Sequence, residues 1–274
     1  MKITFLGTAA AEGVPAIFCN CEYCQNARLK GGKNIRTRSQ AIIDDCLLID
    51  YPPDSYMHML KGELRFDKVK ALIFTHSHSD HCYPHDLILH SGVYAKEPMV
   101  ETLQVYCGKG VYNRFLKELE GVEFAGMNLH LINPFESFVV NGYIITPLPA
   151  RHDDENCYIY IIEKDHRHIL YANDTGYFFD NVFSYIEEKK IRFDFINYDC
   201  TAIDVPVSDE YRHMGIANIL KCAERLKRMG AVDANTIQCI THFSHGNNPD
   251  QDRMEELVKN IGFSVAFDGY SILI

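Results

Sequence analysis

Three histidines and an aspartate fall within six positions in Thr75-His76-Ser77-His78-Ser79-Asp80-His81. Imidazole nitrogens and a carboxylate packed this densely are ligands for zinc, manganese or iron. The apolar run Val69–Phe74 comes directly before them, so a strand is expected to deliver a ligand-bearing turn. His76 and His78, two apart, project to the same side of an extended segment. Asp80 and His81 are expected to open the next element, so one turn can serve two neighbouring ions. A polar loop that happens to be rich in histidine is the alternative; four ligand-type residues straight after an apolar strand weigh against it.

The same arrangement recurs downstream. Tyr143–Leu148 runs into Pro149-Ala-Arg-His152, His168–Tyr171 into Ala172-Asn-Asp174, and Thr236–Ile240 into Thr241-His242. One histidine at a strand end is usually structural, but rigid strand ends are also where side chains are presented to a common site. His76, His78 and His152 can hold one metal; Asp80, His81 and His242 can hold a second; Asp174 can bridge them. Cys19, Cys21 and Cys24 form a Cys-x-Cys-x-x-Cys turn. Three thiolates this close suit a structural zinc that needs one more ligand, and His245, leaving the same strand as His242, is the expected fourth. Free thiols in a flexible loop are the alternative. A redox pair lacks the surrounding βαβ pattern.

The elements that must position these residues follow from apolar patterning. Strands are expected at Ile3–Leu6, Gln40–Asp50, Val69–Phe74, Leu103–Cys107, Leu129–Ile132, Phe138–Leu148, Tyr158–Ile162, His168–Tyr171, Phe193–Tyr198, Thr236–Thr241 and Ser264–Ile274. Helices are expected at Asn113–Glu120, Asp180–Lys190, Asp209–Met229 (stopping at Gly230) and Pro249–Asn260. Gly7–Arg38 reads as a long irregular segment, which points to function or a metal clip.

The chain has 274 residues, 47% of them hydrophobic, and a net charge of −10. Such an acidic balance argues against general affinity for nucleic-acid backbone. It leaves room for a small phosphorylated substrate, because bound cations reverse the local sign. No apolar stretch approaches the ~20 residues of a membrane span, and the first residues are too quickly polar for a signal peptide. A soluble, cytoplasmic protein with a homodimer left open is expected. Of the ten cysteines, Cys46, Cys107, Cys157, Cys200, Cys222 and Cys239 read as reduced thiols buried singly in strands.

His-x-His-x-Asp-His followed by a lone His, a lone Asp and a last His, each after a strand, resembles the metallo-β-lactamase superfamily of binuclear hydrolases, over nearly the whole chain. The resemblance implies one α/β domain over residues 1–274: an αββα sandwich of mixed sheets with outer helices, and two divalent metals (manganese or zinc) at one edge. Its ligands fall on His76, His78, Asp80, His81, His152, Asp174 and His242. His78 stands where redox-active diiron relatives have Glu, which favours hydrolysis over oxygen chemistry. Gly7-Thr-Ala-Ala-Ala-Glu-Gly-Val-Pro15 with the cysteine turn, Thr146-Pro-Leu-Pro149, Asn173-Asp-Thr175, Tyr198-Asp-Cys200, Thr241-His-Phe-Ser-His245 and Phe267-Asp-Gly269 are similar to the phosphoribosyl 1,2-cyclic phosphate phosphodiesterase branch, whose relatives also open 2′,3′-cyclic nucleotides.

That branch implies a zinc loop at about 13–38 held by Cys19, Cys21, Cys24 and His245. It implies that His213 contacts phosphate or acts as general acid. Asp80, like Asp174, is expected to take a catalytic role by orienting water through a free carboxylate oxygen; Asp199 is a candidate partner for a ligating histidine. His85 and His90 read as ordinary helical residues. Pro84 stands where many members have Gly, and Leu87–Met99 departs from the family pattern; both are expected to border the substrate pocket. The rival readings are an RNase Z-like nuclease, a thioester or lactone hydrolase, and a non-enzymatic scaffold. The nuclease would need a basic gripping arm that the sequence lacks, and the scaffold would be expected to have lost ligands.

Overall fold

A computed structural model of the chain describes residues 1–90, 94–99, 102–120 and 126–274. The first stretch carries β1 (Lys2–Gly7), α1 (Glu22–Lys30), β2 (Gln40–Ile43), β3 (Leu47–Ile49), α2 (Ser55–Leu60) and β4 (Ala71–Ile73). After it come β5 (Leu103–Cys107), α3 (Lys109–Glu118), β6 (Met127–Leu131), β7 (Phe138–Val140), β8 (Tyr143–Pro149), β9 (Tyr158–Lys164) and β10 (Arg167–Ala172). The last stretch holds α4 (Asp180–Glu188), β11 (Phe195–Asp199), α5 (Ile216–Arg228), β12 (Ile237–Thr241), α6 (Gln251–Val258), β13 (Ser264–Val265) and β14 (Tyr270–Leu273).

Among the described residues the strands make two seven-stranded sheets, ordered β14-β1-β2-β3-β4-β5-β6 and β13-β12-β11-β10-β9-β8-β7. Both mix parallel and antiparallel pairs. Phe5, Ile43 and Ile73 of one sheet meet Tyr143, Tyr160 and Phe195 of the other in a buried layer. Val111 and Phe115 of α3 cover the outer face of the first sheet. Phe183 of α4, Leu226 of α5 and Met254 of α6 cover that of the second. The αββα sandwich of mixed sheets with outer helices is therefore present. No helix among the described residues is long and apolar enough to cross a membrane.

Several expected boundaries move, each for a local reason. Gln40–Asp50 is two strands, because Asp44 and Asp45 turn the chain at φ of 49° and 58°. Phe138–Leu148 is likewise a hairpin, broken at Asn141-Gly142 (φ 49° and 80°), a pair that fits a two-residue turn matched to strand twist. Ser264–Ile274 divides between the two sheets. The expected Asp209–Met229 helix starts only at Ile216, after a loop, and ends where expected, before Gly230 at φ 76°. Gly7–Arg38 is not without regular structure, since α1 lies inside it. Cys222 sits in α5 and Cys46 in a turn rather than in strands, and Cys200 follows β11.

Buried polar contacts tie this N-terminal segment to the C-terminal strands. Arg36 donates to Thr8 Oγ1 (2.9 Å), the Ala266 carbonyl (2.7 Å) and Gln251 Oε1 (2.5 Å). Thr37 Oγ1 lies between Asp268 Oδ2 (2.6 Å) and His58 Nε2 (2.8 Å), and His58 Nδ1 donates to Gln40 Oε1 (2.6 Å). Burial pushes His58 down to about 4 and Asp268 up to about 6. The two contribute with opposite sign. Stability from His58 is present above its unfolded value of 6.5 and is lost as pH falls through about 4. Stability from Asp268 is present below its unfolded value of 3.8 and is lost as pH rises through about 6. Asp268→Asn removes the second contribution. Urea unfolding of that variant should therefore lose stability more steeply than wild type between pH 6.5 and 4, by on the order of 2 kcal/mol. Parallel curves would contradict the raised Asp268 carboxyl.

Candidate metal centre

The seven ligand-type residues lie just past strand ends that meet along one edge of the sandwich. His76, His78, Asp80 and His81 follow β4, His152 follows β8, Asp174 follows β10 and His242 follows β12. Parallel pairing of β10, β11 and β12 aligns their C-terminal ends. Asp174 and His242 take left-handed backbone (φ 54° and 63°), which turns each side chain out of its strand direction at a conformational cost typical of functional positions. Asp80 and His81 do not open a new element. They stay in a tight turn closed by the amides of His81 and Cys82 on the His78 carbonyl (3.0 and 2.8 Å).

Ligand atoms of His76, His78 and His152 lie within 4.8 Å of one another, and so do those of Asp80, His81, Asp174 and His242. Asp174 joins the groups: its Oδ2 is 3.2 Å from His76 Nε2, 2.9 Å from His81 Nε2 and 3.5 Å from His242 Nε2, and its Oδ1 is 3.7 Å from His152 Nε2. His76 Nε2, His81 Nε2, His242 Nε2 and Asp174 Oδ1 are buried without hydrogen-bond partners. Four orphaned polar atoms converging in one buried place are costly unless a cation satisfies them, so the residues present fit a pair of divalent metals. Burial pushes His152 down to about 4 and lowers His78, keeping both imidazoles neutral, as ligation requires. Asp80 and Asp174 are also buried, but the histidines around them hold both carboxyls well below the usual range.

A supporting shell fixes the rings. Asp50, fully buried at the end of β3, accepts from His81 Nδ1 (2.7 Å) and from the Thr75 amide (2.7 Å) and hydroxyl (2.8 Å). Thr75 Oγ1 in turn meets His76 Nδ1 at 3.0 Å. Thr201 Oγ1 accepts from His242 Nδ1 (2.7 Å). Such contacts leave each Nε2 facing the metal position and set its basicity. Asp199, at the end of β11, lies 3.0 Å from His213 Nδ1 and 3.5 Å from His242 Nδ1. Burial disfavours a charged His213, but Asp199 and Asp174 outweigh it and hold the imidazole up at about 9. Asp50, Thr75 and Thr201 escaped the sequence reading. Asp50 carried the same signal as the others, an acid closing an apolar strand, but it was absorbed into the expected Gln40–Asp50 strand.

His78, Asp80, His152, Asp174, Thr201, His213 and His242 form the wall of a cavity of about 290 Å³, lined also by Glu12, Tyr211, Arg212 and Ser244. None of the described residues of the 82–99 segment borders it. Pro84–His90 forms a 3-10 turn, with His85 3.3 Å from Glu118 of α3, and Leu87, His90 and Met99 line a separate apolar cavity of about 340 Å³. Residues 91–93 of that segment lie outside the described residues. A separate cluster joins the Sγ atoms of Cys19, Cys21 and Cys24 to His245, again within 4.8 Å. Contacts with the Cys24 amide and His245 lower the Cys21 thiol to about 6.

Residues 47–269 match the family model described as a β-lactamase superfamily domain. The chain belongs to the metallo-β-lactamase superfamily. With His78 standing where the redox-active relatives have Glu, the chain is a metal-dependent hydrolase of that fold. Among solved structures of the superfamily's fold, a diphosphatase from the PhnP family superposes with TM-score 0.76 at 22% identity, covering 100% of this chain and 97% of that one. Zinc-bound PqqB from Methylobacterium extorquens gives 0.76 at 17% identity, covering 100% of both chains. Human short-form tRNase Z gives 0.65 at 16%, covering 100% and 99%. In sequence, coenzyme PQQ synthesis protein B of Methylobacterium radiotolerans is 33% identical over 95 residues, 30% of this chain and 31% of the relative's length.

Proposed function

We propose that this metallo-β-lactamase-fold chain hydrolyses a small cyclic phosphodiester, of the phosphoribosyl 1,2-cyclic phosphate or 2′,3′-cyclic nucleotide type. His76, His78 and His152 would hold one divalent ion, and Asp80, His81 and His242 the other, with Asp174 between them; manganese or zinc suits this donor set. A structural zinc would sit among Cys19, Cys21, Cys24 and His245. Bound there, the pair of cations would lower the pKa of a water and neutralise charge on the phosphoryl oxygens.

The observation that carries the phosphodiester reading is His213. It lines the cavity, its Nδ1 is 3.2 Å from Asp174 Oδ1 and 3.0 Å from Asp199 Oδ2, and the Asp199 carboxylate favours its protonated form against burial. Asp199 anchors the ring, leaving Nε2 to donate to a phosphoryl oxygen or to the departing ring alkoxide as general acid. Free carboxylate oxygens of Asp80 and Asp174 would orient the attacking water. A cavity of this volume suits a small substrate rather than a folded RNA.

The test is a panel assay on purified protein stripped of metal and then reloaded with Mn²⁺ or Zn²⁺. Reloading should restore turnover, with kcat/KM on adenosine 2′,3′-cyclic phosphate at least about tenfold above that on a thioester or a lactone. A preference for the acyl substrates would replace this reading with thioester or lactone hydrolysis.

A further inference from the structure

Apart from His213 and the ligand residues, two charged side chains line the metal-site cavity, Glu12 and Arg212. The Arg212 guanidinium is already engaged by Asp153 through Nη1. Glu12 is held on one oxygen only: Oε1 accepts from Ser244 Oγ (2.6 Å) and from the His245 amide (3.2 Å). Oε2 has no hydrogen-bond partner among the described residues. The carboxylate is rigidly seated. Its turn is pinned where the Ala10 amide donates to the Phe243 carbonyl (3.0 Å). The His245 ring also lies 3.8 Å from Oε1 by Nε2, while its Nδ1 faces Cys24 Sγ at 3.4 Å.

We infer that Glu12 is a specificity-determining residue: it accepts a hydrogen bond from an uncharged, hydroxyl- or N–H-bearing part of the substrate and disfavours a second phosphate there. This rests on the cyclic phosphodiester reading and narrows it. In such a molecule the cyclic phosphate faces the metal ligands, and the remainder must lie against the other cavity walls. A fixed carboxylate with an unfilled acceptor rewards a donor. It repels an added dianion, and the Arg212 guanidinium, already paired with Asp153, offsets that repulsion less than a free one would. The favoured class is therefore the nucleoside or polyol 2′,3′-cyclic phosphate with a free hydroxyl, over the same molecule carrying a further phosphomonoester.

The experiment compares metal-loaded wild type and Glu12→Gln on adenosine 2′,3′-cyclic phosphate and on its 5′-phosphorylated form. Wild type should favour the 5′-hydroxyl substrate by about tenfold in kcat/KM, and Glu12→Gln should shrink that preference about tenfold, chiefly through KM, as expected of one like charge at several ångströms. Raising ionic strength should narrow the wild-type preference in the same direction, a reading that holds even if the variant folds poorly. A wild type that favours the 5′-phosphorylated substrate, or a preference unmoved by Glu12→Gln and by salt, overturns the inference while leaving the phosphodiester reading intact. A wild type inactive on both substrates and on bis(p-nitrophenyl) phosphate overturns both.

Discussion

Asp174→Ala should lose about a thousandfold or more in kcat/KM on a cyclic phosphodiester and should no longer retain both active-site metals. One carboxylate lies within 3.7 Å of His76, His81, His242 and His152. Removing it strips the central negative charge from four converging histidines, so two dications would face each other with less between them. Asp174→Asn keeps the shape and removes the charge, and it should fall almost as far. Metal content after dialysis separates this from misfolding: the variant should retain the zinc proposed for the cysteine cluster and its two-sheet circular dichroism. Retention of more than a tenth of wild-type activity by Asp174→Ala would end the bridged two-metal description.

Cys24→Ala should cost one zinc equivalent and lower the melting temperature by about 10 °C, while the active-site metals are retained. Cys24 is buried, and its Sγ accepts from the Ala16 amide and meets His245 across 221 residues of chain. A tie that closes so long a loop restricts the unfolded chain strongly. What remains afterwards, the Arg36 network and the Lys30–Asp250 pair at 2.6 Å, should keep the fold but loosen residues 8–38. Thermal melts paired with elemental analysis decide the matter. Unchanged zinc content in Cys24→Ala would show that these thiols hold no metal.

The residues that chemistry needs were readable because ligand types are rare and their spacing is short. His76 through His81 announced themselves, and the repeated strand-then-acid or strand-then-histidine pattern found His152, Asp174 and His242. The two-layer sheet architecture followed from the same apolar runs. Turns inside those runs were harder. Asn141-Gly142 and Asp44-Asp45 interrupt otherwise continuous β-type sequence, and hydrophobic periodicity cannot register a two-residue reversal. The start of α5 was misplaced because Ser208–Gly215 carries apolar residues at intervals that imitate helical spacing, while Gly215 bonds across to the Ile203 segment. The border of the pocket was misassigned for a topological reason. Sequence proximity put 82–99 next to the metal turn, but the fold turns it back onto α3 and brings Glu12, Tyr211 and Ser244 from distant positions instead.

Each metal group draws on both sheets. His76 and His78 leave the first sheet and His152 the second; Asp80 and His81 leave the first, Asp174 and His242 the second. Neither half of the chain owns a whole coordination sphere. Tight metal uptake therefore requires the halves to be docked, and each bound ion would act as a cross-brace that penalises their separation. Cation loading would then report on assembly as well as activity: a chain stalled with its sheets undocked would remain metal-poor, and one that has closed correctly would be fastened by the ions it uses.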